Sequence, residues 1–159
     1  MNVLGIDPGS RITGYGIVRY HAGQIDYVAS GSIKLSGQFS ERLVQLHESL
    51  TQVIDSHTID QCAIESVFMS HNPNTALKLG QARGVCLLGL TLKIAPPYEY
   101  APRQVKQTIV GIGSATKAQI QFMVAKRLNL SGHPAEDAAD ALAVALCHIQ
   151  HLQQATVSL

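Results

Sequence analysis

The hydrophobic positions of this chain change period along its length, and each change marks an element. Val3-Leu4-Gly5-Ile6 is a short apolar run that stops at Asp7, the pattern of a buried strand. Asp7-Pro8-Gly9-Ser10 follows as a tight turn. Thr13 to Tyr20 and Ile25 to Ile33 are rich in β-branched and aromatic residues and are joined by a turn at Ala22-Gly23, which predicts an antiparallel meander. Ser40 then caps a helix in which Leu43, Leu46, Leu50, Val53 and Ile54 recur every three or four positions, so one stripe faces a core. Cys62-Ala63-Ile64 is a further buried strand, ending at Glu65. Asn72-Pro73 opens a helix with a cap and a proline at its first position, running to about Leu92. Pro96-Pro97 breaks it ahead of a last strand, Tyr98 to Ala101. Two basic helices, about 102–110 and 116–128, are divided by Val110-Gly111-Ile112-Gly113. Gly132-His133-Pro134 opens the final helix, expected to end near His151.

This order of elements predicts an α/β fold: a five-stranded mixed sheet, three strands antiparallel and the others parallel, with helices on its faces. At 159 residues the chain is one domain of ordinary size, with 46% hydrophobic and only 14% charged residues. Residues 1–151 are assigned to that domain and 152–159 to a polar, fraying tail. The longest apolar stretch, Val85 to Leu92, is far short of a bilayer span, and no signal peptide is visible. Cys62, Cys86 and Cys147 form no CxxC pair and read as reduced core thiols of a cytoplasmic protein.

The last helix carries the most telling chemistry. Asp137-Ala138-Ala139-Asp140 places two carboxylates on one face of one turn, and Ala-Leu-Ala-Val-Ala-Leu follows, so the helix is buried nearly all round. A lone charge there is costly unless paired, and no Lys or Arg lies beyond Arg127. A metal ion is the natural partner. Asp7 and Glu65 each end a strand, where functional groups of α/β sheets gather. Four convergent carboxylates cannot all ionise without divalent cations, and oxygen-only ligands favour Mg²⁺ or Mn²⁺ over zinc. Two such ions are a standard device for phosphodiester hydrolysis.

Net charge is only +1, but its distribution is uneven. Residues 78–127 carry 8 basic side chains and one acidic one, whereas residues 1–77 and 128–159 each have a net charge of −3. That layout suits a polyanion gripped by one region and cut by another.

Several motifs carry a family resemblance. Gly5-Ile6-Asp7-Pro8-Gly9-Ser10-Arg11, Ile64-Glu65 with Val67-Phe68-Met69, Ala76-Leu77-Lys78-Leu79-Gly80-Gln81-Ala82-Arg83-Gly84, Arg103-Gln104-Val105-Lys106-Gln107, Val110-Gly111-Ile112-Gly113-Ser114-Ala115 and Asp137-Ala138-Ala139-Asp140-Ala141-Leu142 resemble the RuvC family of Holliday junction resolvases over roughly residues 2–148. The resemblance implies a ribonuclease-H-like fold and a homodimer that nicks two opposing strands of a four-way DNA junction, leaving 5′-phosphate and 3′-hydroxyl ends. It implies Asp7, Glu65, Asp137 and Asp140 as ligands of two Mg²⁺ ions, with Mn²⁺ as a substitute, and a branch-migration complex of the RuvA and RuvB type as partner. Family members often carry a basic C-terminal extension, whereas Gln150 to Leu159 has no Lys or Arg.

Further candidates follow. By resemblance, Lys106 and Lys117 stand near the cleft to hold phosphates; Lys78, Arg83 and Arg103, from the same basic third, are weaker candidates for phosphate contact. Phe68 either folds onto the core or wedges into unpaired bases at the crossover, the role the resemblance favours. Ala76, Gly80 and Gly84 form a small-residue stripe that admits either the sheet below or the same helix of a second subunit. His148 and His151, spaced i, i+3, are read either as a metal-binding pair or, the reading favoured, as cationic residues near the negative end of the last helix. Two other classes remain in view. An ATPase of the actin and sugar-kinase type shares the first acidic turn but needs two such domains, and an inactive junction-binding module has no use for four acids.

Overall fold

The computed structural model describes residues 1–67 and 71–157. Phe68 therefore lies outside the described residues. Strands β1 (Asn2–Asp7), β2 (Ile12–His21) and β3 (Gln24–Lys34) are followed by helix α1 (Phe39–Asp55), strand β4 (Gln61–Glu65), helix α2 (Pro73–Lys93) and strand β5 (Tyr98–Tyr100). Helices α3 (Pro102–Val110), α4 (Lys117–Arg127) and α5 (Glu136–Val157) complete the order. The five strands form one sheet in the order β3-β2-β1-β4-β5, the first three antiparallel and β1, β4 and β5 parallel. The β2–β3 turn uses Ala22 at φ 49° and Gly23 at φ 83°, the doubly left-handed backbone that matches hairpin twist.

Two hydrophobic layers sandwich this sheet. On one face Leu4, Ile6, Ile17 and Ile64 meet Leu46, Leu50 and Ile54 of α1 and Ala82, Cys86 and Leu90 of α2. On the other, Val3, Val18 and Ala63 meet α5, with α3 and α4 packed outside it through Val105, Ile109, Ile120 and Val124. All three cysteines are free and buried. Among the described residues no helix is long and apolar enough to cross a membrane.

Three local expectations are corrected. Ser40 lies inside α1; Gln38 is the N-cap residue, and its N–H donates to the Glu41 carboxylate at 2.8 Å. The last helix does not end near His151 but runs on to Val157. His148 is consequently mid-helix and fully buried, with Nδ1 2.8 Å from the Tyr100 hydroxyl and Nε2 2.7 Å from Gln61 Oε1. Burial, and then His151, push its pKa down to about 4, so it is a neutral core residue and not a cation serving the helix dipole.

Candidate active site

The parallel pairing of β1 and β4 sets the site. Ile6 faces Ile64 in register, so Asp7 and Glu65 leave the sheet side by side from neighbouring strand ends. They share a hydrogen bond, and burial, then Glu65, then Asp140 push the Asp7 carboxyl up to about 8. Glu65 is also raised, chiefly by burial, with the charges of Lys106 and Lys117 opposing.

A glycine trough brings the other acids to this edge. On β2, Gly14 pairs with Asp7 and Gly16 pairs with Gly5 of β1. A methyl group at Gly14 would lie 2.0 Å from the Asp137 carbonyl oxygen; one at Gly5 would lie 2.2 Å from that of Ala141; one at Gly16 would lie 2.7 Å from Leu142 Cγ. Backbone therefore rests on backbone, and the first turn of α5 comes down beside Asp7. Asp7, Glu65, Asp140, Lys106 and Lys117 line a cavity of about 230 Å³, floored by Val105, Ile120 and Ala143. Asp137 does not line it but stands near enough for its charge to raise Asp7 and Asp140.

Asp140 is raised chiefly by burial and held back by Lys117, whose Nζ is 3.7 Å from Asp140 Oδ2. Lys117 also pairs with Glu136, which raises its own pKa. A basic partner for the last helix thus exists beside the expected metal: it comes from α4, outside the stretch beyond Arg127 that has no Lys or Arg. Because Asp7 and Glu65 bind each other and Asp140 leans on Lys117, no group of three or more metal-ligating side chains among the described residues is already gathered about one point. The donor set is nonetheless all oxygen, anionic and costly to ionise together, which fits a hard divalent cation.

The remaining basic candidates divide. Lys106 is half-buried and lines the cavity. Arg103 is exposed outside it, and its stem packs so closely over Gly113 that a methyl there would be 2.6 Å from Cγ. Lys78 does not line the cavity, and its ammonium lies 5.9 Å from the Phe39 ring centre. Arg83 is turned inward against Glu99 and the backbone of Glu65. Sequence reasoning missed the trough and the Glu136–Lys117 pair. The period-two spacing of Gly14 and Gly16, facing an alanine-rich helix, was the available signal for the first.

An acidic edge on this sheet, crossed by an acidic helix turn, defines a ribonuclease-H-like nuclease. The family model for the crossover junction endodeoxyribonuclease RuvC matches residues 3–148. The crossover junction endodeoxyribonuclease RuvC of Tolumonas auensis is 52% identical over 156 residues, covering 98% of this chain and 90% of that protein. The structure of Thermus thermophilus RuvC with a Holliday junction substrate superposes with a TM-score of 0.89 at 32% identity, covering 98% and 97% of the two chains. The yeast mitochondrial Holliday junction resolvase Ydc2, 12% identical, shares the fold at a TM-score of 0.66, covering 96% and 80%. The chain belongs to the RuvC family of crossover junction endodeoxyribonucleases, and is a structure-specific endonuclease that resolves four-way DNA junctions.

Proposed function

We propose that Asp7, Glu65, Asp137 and Asp140 hold two Mg²⁺ ions, replaceable by Mn²⁺, and that a homodimer applies two such sites to a four-way junction to make paired nicks. The observation that carries this is the contact of Asp7 and Glu65 at adjacent parallel strand ends, with Asp7 pushed up to about 8 by burial and neighbouring carboxylates. When bound, divalent ions lower the pKa of water and offset charge on the phosphoryl group. The carboxylates orient that chemistry. Lys106 and Lys117, which line the same cavity beside the carboxylates, face an incoming phosphate and hold it in line. Cleavage of the 3′ P–O bond leaves 5′-phosphate and 3′-hydroxyl ends.

The dimer reading is supported by α2. Gly80 and Gly84 are exposed, a methyl added at either would point into open space, and Leu77, Leu88 and Leu92 are 64%, 56% and 71% exposed. A two-fold axis through this stripe gives two opposing junction strands equivalent sites. Residues 1–151 form the nuclease domain, and the polar end of α5 extends it. The reduced thiols accord with action in the cytoplasm, alongside a branch-migration complex.

The test is a four-way junction incubated with the protein, with and without Mg²⁺. Paired nicks are expected only with the metal. Asp140→Asn is expected to keep junction affinity and lose cleavage by about a thousandfold or more. Full cleavage by that variant sinks the ligand assignment.

A further inference from the structure

Arg83 is the one basic candidate that the fold turns inward. Its side chain is only 17% exposed. Nη2 pairs with Glu99 Oε2 at 2.5 Å, and Nε donates to the main-chain carbonyl of Glu65 at 3.4 Å. Ile64 pairs with Glu99 and Glu65 with Tyr100 across the parallel β4–β5 ladder, and the next N–H, that of Ser66, donates to Tyr100 at 2.8 Å. One guanidinium therefore ties α2 to the carboxyl ends of both strands, at the residue whose side chain enters the cavity. Its charge is already matched by Glu99, which leaves little to offer a phosphate.

We propose that Arg83 is a positioning residue for Glu65 and not a DNA contact. It fixes the backbone of Glu65 from behind, so that the carboxylate emerges beside Asp7. Glu99 holds the fork in place. Lysine cannot reproduce this, because a single ammonium does not present two donors in a rigid plane. The inference rests on the reading of Glu65 as a metal ligand, and the test separates the two.

Wild type, Arg83→Gln, Arg83→Lys, Glu99→Gln and Glu65→Gln are compared as full chains. Mn²⁺ affinity is read without DNA from the free-ion electron paramagnetic resonance signal. Junction affinity is read by gel shift in Ca²⁺, and cleavage as a function of Mg²⁺. Arg83→Gln and Glu99→Gln are expected to weaken Mn²⁺ binding about tenfold and to raise the half-saturating Mg²⁺ equally. Junction affinity should stay within about twofold of wild type, since no phosphate contact is lost. Arg83→Lys should fall between. Loss of stability alone would lower the melting temperature without moving the metal titration. Glu99→Gln is the sharpest arm: if Arg83 served DNA, releasing it from Glu99 would tighten junction binding and leave metal affinity alone. That result, or a tenfold loss of junction affinity in Arg83→Gln with unchanged Mn²⁺ binding, overturns the proposal. If Arg83→Gln does not fold, Glu99→Gln decides. Wild-type Mn²⁺ affinity in Glu65→Gln would instead refute the ligand assignment itself.

Discussion

Helices α5 and α2 both carry small residues in a regular stripe, yet the two stripes do opposite things. On α5, Ala141 and Ala145 lie in a trough cut by Gly5, Gly14 and Gly16, and backbone approaches to within contact distance. On α2, a methyl added at Gly80 or Gly84 meets no atom within 4 Å. The first stripe is spent inside the protomer, where it lowers Asp137 and Asp140 onto the acidic edge. The second is left over, flanked by exposed leucines. Small residues in a helix therefore report close approach only when the facing surface is also small. Here the paired glycines of β1 and β2 distinguish the two cases.

The largest effect should come from filling the trough. Gly5→Ala puts a methyl 2.2 Å from the Ala141 carbonyl oxygen and 2.6 Å from the Ala145 N–H nitrogen, both backbone atoms that cannot swing aside. Overpacking against movable side chains costs about 1–3 kcal/mol; against backbone it should exceed about 4 kcal/mol and leave little folded protein at 37 °C. Chemical denaturation checks it. A loss under about 1 kcal/mol would mean that α5 is not seated as described.

What α5 brings to the edge can be read through pH. Asp7 is raised from 3.8 to about 8 by burial first, and then by Glu65 and Asp140. The folded state therefore binds this proton more tightly than the unfolded state does. Its contribution to stability is complete below about pH 4 and is lost as pH rises through about 8. In EDTA, the melting temperature of the wild type should fall steadily between pH 5 and pH 9. Asp7→Asn should remove most of that slope and be the more stable protein at pH 9. Adding Mg²⁺ at pH 8 should raise the melting temperature of the wild type much more than that of Asp7→Asn. A flat wild-type profile in EDTA would show that the acids are not crowded.

The comparison also separates what the chain discloses from what only folding supplies. β1 and β4 were legible because each apolar run stops at an acid, and α5 because its apolar residues leave no polar face. The β1–β4 register was not, since nothing local aligns Ile6 with Ile64 across 58 positions. Lys117 is 23 positions before Asp140, so their pairing was hidden for the same reason. Arg83 stands in the basic third, where any basic residue looks like a phosphate contact, and its pairing with Glu99 and the Glu65 carbonyl was hidden for the same reason. His148 misled because a histidine near an expected helix end looks cationic, whereas Tyr100 and Gln61 satisfy both ring nitrogens in the core.

The smallest effect should fall on α2, with opposite sign. Gly84→Ala adds a methyl into open space and removes backbone freedom from the unfolded chain, so each protomer should gain about 0.5–1 kcal/mol. In the trough the same substitution is ruinous. Gly84→Glu keeps most of the helical gain but places a charge on the bare stripe. If that stripe joins two subunits, sedimentation should show Gly84→Glu as a monomer whose paired nicking is uncoupled, the second cut no longer closely following the first. Gly84→Ala tests how close the two helices come: dimerisation unchanged means that they do not touch at this position, and dimerisation weakened means that they do. A Gly84→Glu variant that still sediments as the wild type does would place the subunit contact elsewhere and leave the exposed leucines of α2 without an occupant.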